Sequence, residues 1–213
     1  MRRDEPARRP VRKPKHAYHH GDLRQALVQQ ALVTIQEQGV EGLTLRQTGE
    51  RLRVSRTALY RHFADKQALL AAVATEGFAL FERALAEAWG DAAVPASRER
   101  FYRVGRAYVD FAQRHPSHYR VMFGRFVDNV AADPGLAGSA DRAFGVLVTA
   151  LEALQGVGLV RRHAPPELAV SVWACTHGLA MLLIDGQLSR PDLDAEAMVS
   201  STLDRVWDFL TPR

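Results

Sequence analysis

The stretch LTLRQTGERLRVSRTALYRHFADK, residues 43–66, decides the fold of the N-terminal part of the chain. Apolar or small side chains recur at helical spacing from Leu45 to Leu52, while arginine and glutamate occupy the other face. Ser55 then supplies a side-chain oxygen suited to begin a second helix, Arg56–His62. Two short helices joined by a tight turn, the second basic on its outer face, are typical of a helix-turn-helix that enters a DNA major groove.

Composition and charge distribution agree with a globular DNA-binding protein. The 213 residues are 47% hydrophobic and 24% charged, which is ordinary for a soluble domain. Residues 1–66 hold 14 basic and 7 acidic side chains, a local charge of +7, and residues 67–213 carry the remaining −3 of the total +4. One end of the chain is therefore expected to meet a polyanion, although uneven surface charge also occurs without a function.

The sequence predicts a cytoplasmic protein that is neither an enzyme nor a metalloprotein. No apolar run approaches the length that spans a bilayer, and the first 16 residues lack the apolar region of a signal peptide. The single cysteine, Cys175, excludes an internal disulfide, and we expect it to be buried and inert. Nucleophile-elbow, phosphate-loop and HExxH motifs are absent, and no histidine spacing indicates a metal site, so we expect no cofactor.

Hydrophobic periodicity predicts an all-α chain of about nine helices. Residues 1–17 are expected to be a disordered basic arm, either a solvated tail or a DNA contact through Arg12, Lys13 and Lys15. Residues 18–66 would form the helix-turn-helix domain, and residues 67–213 a helical ligand-binding and dimerisation domain. The predicted helices run from Asp22, as N-cap, to Gly39, through the two helices of 43–62, from Lys66 to Trp89, and over about 98–114, 116–122, 139–157, 166–186 and 194–210.

Residues 18–73, from YHHGDL to LLAAV, resemble the DNA-binding domain of the tetracycline-repressor (TetR) family. The resemblance depends on an ordered set at the family's spacing: Gly39, Thr44, Leu45, Val54, Ser55, Leu59, Tyr60, Phe63 and Lys66. Two positions depart from the family's pattern. Gly49 stands where the family usually has alanine, and Arg53 stands where the turn usually has glycine. A left-handed backbone at Arg53 would cost roughly 1–2 kcal/mol and could alter how the turn presents Arg56.

The resemblance implies DNA-contacting roles for nine polar residues of this domain. The residues that match phosphate-contacting positions are Thr44, Ser55, Tyr60, His62 and Lys66. The candidates for contacts to base edges are Arg46, Arg56, Thr57 and Arg61, since arginine can donate two parallel hydrogen bonds to guanine. A solvated helix face is the alternative for any of them.

The C-terminal half resembles a TetR subgroup named for the motif W-x-x-x-H-G, here Trp173, His177 and Gly178. The resemblance implies a domain for dimerisation and for binding a small, mostly apolar effector. The candidate effector-binding residues are Phe101, Tyr108, Phe111, Tyr119, Phe123, Trp173, His177 and Met181. Core packing is the alternative for the aromatic residues, and a hydrogen bond to a neighbouring helix is the alternative for His177.

Segment 166–186 is apolar on nearly every side, so it needs to be covered on every side. Together with the apolar stripe of the last helix, it predicts a four-helix interface between two copies of the chain, unless it is buried inside one. The candidate interface residues are Val172, Leu179, Leu183, Met198, Thr202, Val206 and Phe209.

The function expected from the sequence is a homodimeric, effector-responsive transcription factor, by family habit a repressor, that binds a near-palindromic duplex. Two alternatives stay open: a constitutive DNA-binding protein of the same fold without an effector, and a small-molecule-binding or enzymatic helical protein whose basic end is incidental.

Overall fold

The computed structural model describes residues 20–128, 133–190 and 192–212. The predicted basic arm, 1–17, lies outside the described residues. Within them the chain is all-α, as predicted, and contains no strand. The helices are α1 (His20–Gln38), α2 (Leu45–Arg51), α3 (Arg56–His62), α4 (Lys66–Trp89), α5 (Arg98–Arg114), α6 (Pro116–Phe123), α7 (Pro134–Gly156), α8 (Pro165–Ile184) and α9 (Ala195–Leu210).

Short polar side chains begin most of these helices. Thr44 accepts a hydrogen bond from the backbone N–H of Gln47 and begins α2, and Ser55 does the same for α3 through Ala58. At the other end of α1, Gly39 takes the left-handed conformation that closes a helix, with φ +76°, as its sequence position predicted.

Two helix starts differ from the sequence prediction. Helix α1 already includes Asp22, so this residue is not its N-cap. Helix α7 begins at Pro134 instead of near residue 139, because Asp133 accepts hydrogen bonds from the N–H groups of Gly135 and Leu136, at 3.0 and 3.1 Å. The glycines in its first turns weaken the helical signal of the sequence, and the Asp-Pro cap overrides them.

Helix α4 organises the molecule. It packs against α1 at the N-terminal end of the fold and against α5, α6 and α7 in the C-terminal part. Its buried side chains, among them Leu70, Phe78, Phe81 and Leu85, belong to one apolar core that extends through both parts. The helix-turn-helix is therefore joined to the C-terminal helices by a continuous, packed element.

Helix α8 corrects two expectations from the sequence. With 20 residues and a mean hydropathy of 1.6 in its most apolar window, it is long and apolar enough to cross a bilayer by length and composition, contrary to our prediction. It nevertheless packs on α5, α7 and α9. Its outer face exposes Leu182 and Cys175, and we had expected Cys175 to be buried.

Candidate nucleic-acid interface and apolar cavity

Helices α2 and α3 form the predicted helix-turn-helix. Leu45, Thr48 and Gly49 are buried on the inner face of α2, and Leu59 is buried on that of α3. A Cβ atom at Gly49 would lie 2.9 Å from Leu59 Cδ2, so glycine allows the close approach of the two helices.

The turn between these helices keeps the conformation that glycine would adopt. Arg53 has φ +55° and is the non-glycine residue with positive φ among those that the structure describes. Its N–H donates to the carbonyl of Glu50, and the N–H of Val54 donates to that of Gly49. The arginine therefore keeps a left-handed, strained conformation in the turn, and its effect on the presentation of Arg56 stays a prediction.

The predicted DNA-contacting residues lie along one outer surface of the helix-turn-helix. Those that are exposed to solvent are Thr44, Arg46, Ser55, Arg56, Thr57, Tyr60 and Arg61. His62 is half-buried. Arg46 pairs with Glu50 on the surface of α2, at 2.7 Å between Nε and Oε1. The exposed side chains combine cations with hydroxyl groups, which suits a surface for a phosphate backbone and base edges.

Lys66 also has an internal partner. Its ammonium donates to the backbone carbonyls of Val40, at 2.8 Å, and Glu41, at 3.2 Å. These bonds tie the start of α4 to the loop between α1 and α2. Loss of this side chain would therefore disturb the packing of the domain as well as its charge.

The C-terminal helices enclose an apolar cavity of about 480 Å³, a size typical of small-molecule sites. Of the predicted effector residues, Phe101, Tyr108, Phe123 and Trp173 line it. The other lining residues that the structure describes come mainly from α4, α5, α7 and α8: Phe78, Phe81, Leu85, Val104, Gly105, Met122, Ala140, Asp141, Ala143, Phe144, Leu147, Val170, Val172, Thr176 and Leu203. The exposed side chains of Asp141 and Val170 mark its opening between α7 and α8.

The remaining predicted effector residues do not line this cavity. Phe111 is fully buried against Phe81, with ring centroids 4.9 Å apart. Tyr119 is fully buried and His177 is half-buried, and both are held in a hydrogen-bond network behind the cavity wall. Met181 is half-buried, outside the set of lining residues. Sequence spacing places these residues on the correct helices but cannot show which of them are screened by a neighbouring ring.

The hydrogen-bond network joins four side chains, of which Tyr108 and Trp173 line the cavity and Tyr119 and His177 lie behind them. Trp173 Nε1 donates to the hydroxyl of Tyr108 at 2.9 Å, and the hydroxyls of Tyr108 and Tyr119 are 3.0 Å apart. His177 Nδ1 lies 2.7 Å from the Tyr119 oxygen and 3.2 Å from that of Tyr108. Burial raises the pKa of both tyrosines and lowers the pKa of His177, so the hydroxyls stay protonated and the neutral imidazole is favoured. His177 thus forms the hydrogen bonds to neighbouring helices that its structural alternative describes, and its contact with an effector stays a prediction.

The predicted dimer residues fall into two groups. Val172, Leu179 and Val206 are buried within the protomer, so in this conformation they have little surface to offer a second copy. Leu183, Met198 and Thr202 are half-buried, and Phe209 is exposed. The open face of α8 instead contains small side chains and Leu182, and a Cβ atom at Gly178 would point into open space.

Two family models match separate parts of the chain, the first ending within α4 and the second beginning within α5. Residues 27–73 match the DNA-binding model for bacterial regulatory proteins of the tetR family. Residues 101–206 match a tetracyclin repressor-like C-terminal domain. Membership in the W-x-x-x-H-G subgroup stays a prediction.

Similar proteins support the same assignment. The class C tetracycline repressor of Escherichia coli is 49% identical over 51 residues, which are 24% of this chain and 23% of that protein. The chain thus matches about a quarter of the length of such repressors. A structure from Rhodococcus sp. RHA1, described as a protein with unknown function, is 31% identical with a TM-score of 0.80, over 93% of this chain and 100% of that one. The ketosteroid transcriptional regulator KstR2 of Mycobacterium tuberculosis shares the fold, with 18% identity and a TM-score of 0.63, over 90% of this chain and 96% of that one.

Proposed function

The chain belongs to the tetracycline-repressor family of bacterial regulators, and we propose that it is a homodimeric transcription factor that binds a near-palindromic duplex and releases it when a small apolar effector binds. The observation that carries the DNA-binding part is the exposed surface of α3. There Arg56, Thr57 and Arg61 project from a helix whose other face, with Leu59, is buried against α2. A basic recognition surface on a rigid support is what contact with base edges requires.

Two copies are part of the proposal because one helix-turn-helix contacts few base pairs. Two-fold pairing would place two such domains about 34–36 Å apart, in successive major grooves. The open face of α8, around Ala174, Cys175 and Leu182, is the surface we propose for pairing, with Phe209 of α9 beside it. These residues replace Val172, Leu179 and Val206 of the predicted interface, which are buried inside the protomer.

The effector part rests on the cavity and on the path of α4. Phe78, Phe81 and Leu85 of α4 line the cavity, and the same helix begins at Lys66, directly after the helix-turn-helix. A ligand that requires a different position of α4 would therefore change the separation of the two DNA-binding domains. Nearly complete release needs about 5.5 kcal/mol of differential affinity between the two arrangements. DNA release by bound ligand, measured in a mobility-shift assay, tests this part; if ligands bind and no DNA is released, effector control is refuted.

Arg56→Ala tests base recognition. We expect binding to a preferred duplex to weaken by roughly 1–3 kcal/mol, and binding to random duplex to weaken much less. The reason is that Arg56 would lose hydrogen bonds to a base edge that only the preferred sequence offers. Fluorescence anisotropy at several salt concentrations measures both.

The matched control is Arg83→Ala, which removes the same charge from an exposed position on α4, about 25 Å along the helix from Lys66. It should leave both affinities nearly unchanged. Equal losses on preferred and random DNA for Arg56→Ala would refute its assignment to base edges. Lys66→Ala, which the sequence suggested as a phosphate-contact variant, is a poor comparison because its ammonium also binds the carbonyls of Val40 and Glu41.

A further inference from the structure

The polar atoms of the cavity restrict the chemistry of its ligand. Of the described residues that line it, Asp141 alone carries a charge, and the walls are otherwise formed mainly by aromatic and aliphatic side chains. Tyr108, Trp173 and Thr176 supply the other side-chain polar groups. The volume has room for about 16 groups the size of a water molecule. The ligand is therefore a compact apolar molecule, and its polar group has to match these few partners.

In the hydrogen-bond network the hydroxyl protons of Tyr108 and Tyr119 and the indole proton of Trp173 are all donated to other members of the network. Two arrangements satisfy all of its donors, and Trp173 donates to Tyr108 in both. Either Tyr119 donates to Tyr108, at 3.0 Å, and Tyr108 donates to Nδ1 of His177, at 3.2 Å, or Tyr108 donates to Tyr119 and Tyr119 donates to Nδ1 of His177 along the shortest contact, 2.7 Å. The His177 proton then sits on Nε2, on a half-buried ring that water can reach. The other neutral tautomer would leave the Tyr108 hydroxyl proton without an acceptor among the described residues. In both arrangements no donor is left for a ligand, and the Tyr108 oxygen keeps at most one lone pair.

Thr176 and Asp141 add acceptors only. The Thr176 hydroxyl donates to the carbonyls of Val172 and Trp173 within its own helix, at 3.0 and 3.2 Å, which leaves only lone pairs for a ligand. Asp141 lies at the opening, exposed, and its carboxylate forms no hydrogen bond or ion pair with another residue in 20–128, 133–190 or 192–212. Its neighbour Arg142 is directed to Glu82, at 3.1 Å, and to Ser139. The opening therefore offers a carboxylate that is not neutralised by a residue described here.

We propose that the cavity selects apolar ligands that carry a hydrogen-bond donor, an alcohol or a protonated amine, and discriminates against carboxylates and ketones of the same size. The proposal rests on the proposed function, in that the cavity is the effector site, and adds the chemical class of the effector. A carbonyl or carboxylate oxygen would face the lone pairs of Thr176 and no free donor, and would stay unpaired in an apolar site. A carboxylate would also be repelled by Asp141 at the opening.

Four naphthalene derivatives, substituted at the same ring carbon, test this in the full-length protein: naphthylmethanol, naphthylmethylamine, acetonaphthone and naphthoate. Isothermal titration at pH 7.5 should give dissociation constants for the alcohol and the amine that are at least about tenfold lower than those for the ketone and the acid. The amine should lose part of its affinity at high salt and in Asp141→Asn, whereas the alcohol should not.

Tyr108→Phe should improve the binding of a ketone, an effect that a purely structural role of Tyr108 would not produce. Removal of the Tyr108 oxygen frees the Trp173 Nε1 proton, so a donor then faces the cavity. Acetonaphthone should bind this variant about tenfold more tightly than wild type. Thr176→Val is the control, because it removes an acceptor without freeing a donor of another side chain.

The wild-type ranking decides the proposal even if a variant does not fold. A ketone or acid that binds as tightly as the alcohol overturns the selection for donors but leaves the cavity as an effector site. If none of the four compounds binds, both the selection and the effector role of the cavity are overturned.

Discussion

Arg53 occupies the turn of the helix-turn-helix with φ +55°, a conformation that costs a non-glycine residue roughly 1–2 kcal/mol. Arg53→Gly should therefore raise the free energy of unfolding by about 1 kcal/mol, after the larger chain entropy of glycine is subtracted. Urea denaturation followed by circular dichroism measures it. Arg53→Ala is the control, since it removes the charge and keeps the strain; equal stabilities of the two variants would show that the turn is not strained.

Arg100 is a buried cation that the sequence did not indicate. It is 3% exposed, its guanidinium lies over the ring of Trp89 at 4.2 Å, and it binds backbone carbonyls instead of a carboxylate. The carbonyls belong to Trp89, Gly90, Asp91, Val94 and Pro95. These bonds fasten the loop between α4 and α5, which has no regular structure of its own to pair its carbonyls.

Arg100→Lys should lower the free energy of unfolding by about 2 kcal/mol or more, because one ammonium cannot reach the carbonyls that the planar fork of five N–H donors satisfies. Arg98→Lys is the matched control, since Arg98 is exposed and pairs with Asp204 at 2.6 Å. That change should cost less than about 0.5 kcal/mol. Equal effects of the two substitutions in urea denaturation would contradict the structural role of Arg100.

At this scale the sequence predicted which residues face inward and which face outward in the helix-turn-helix. Leu45 and Leu59 are buried, and Arg56 and Arg61 are exposed, because helical periodicity alone determines these faces. It could not predict the bonds of Arg100, which depend on how a loop folds back over a helix. Composition does not encode that geometry.

At the scale of the elements, α1, α4 and α6 meet at a polar junction. Glu76 of α4 accepts hydrogen bonds from Gln25 and Gln29 of α1, at 2.8 and 3.0 Å. His118 of α6 brings Nε2 to 3.5 Å from Glu76, and this nitrogen is buried without a hydrogen-bond partner among the described residues. Burial lowers the pKa of His118, against the opposing effect of Glu76.

The lowered pKa predicts a loss of stability in acid. The unfolded chain takes up the proton near pH 6.5, before the folded protein does, so stability is complete above that pH and falls as the pH drops below it. His118→Gln should reduce this slope by up to about 1.4 kcal/mol per pH unit, and the remaining slope would come from His115 and His177, whose pKa values burial also lowers.

Urea denaturation between pH 5 and pH 7.5 measures the slope. His163→Gln is the control, because that side chain is 52% exposed at the end of the loop before α8 and should behave as wild type. An unchanged slope in His118→Gln would contradict the buried, neutral state of His118.

The helices themselves were largely predictable from the sequence. The bounds of α3 and α4 agree with the periodicity and with the caps Ser55 and Asp65. The start of α7 was missed because a cap of aspartate and proline outweighed two glycines. The cavity was predicted only as a group of aromatic residues, since which rings line a space and which fill it depends on how the helices cross.

At the scale of the whole molecule, the open face of α8 is the surface on which the proposed dimer depends. Leu182 is 39% exposed on a helix whose most apolar window has a mean hydropathy of 1.6. Leu182→Glu should leave the protomer folded and convert the dimer to a monomer, because two carboxylates would be buried across the two-fold axis. Analytical ultracentrifugation measures the mass.

Val94→Glu is the matched control for the dimer, since Val94 is 52% exposed in the loop between α4 and α5, away from α8. It should leave the dimer intact. A dimer that survives Leu182→Glu, or one that is broken equally by Val94→Glu, would contradict pairing through α8.

Selection of DNA from a pool of random duplexes by the wild-type protein tests the central claim, that two copies of this helix-turn-helix bind one site together. The account predicts enrichment of a near-palindrome whose half-sites are centred about 10 base pairs, or a multiple of one helical turn, apart. Protein with Arg56→Ala should enrich a different half-site or none. Failure of the wild-type chain to enrich any sequence, or enrichment of a single half-site without a symmetric partner, would contradict it.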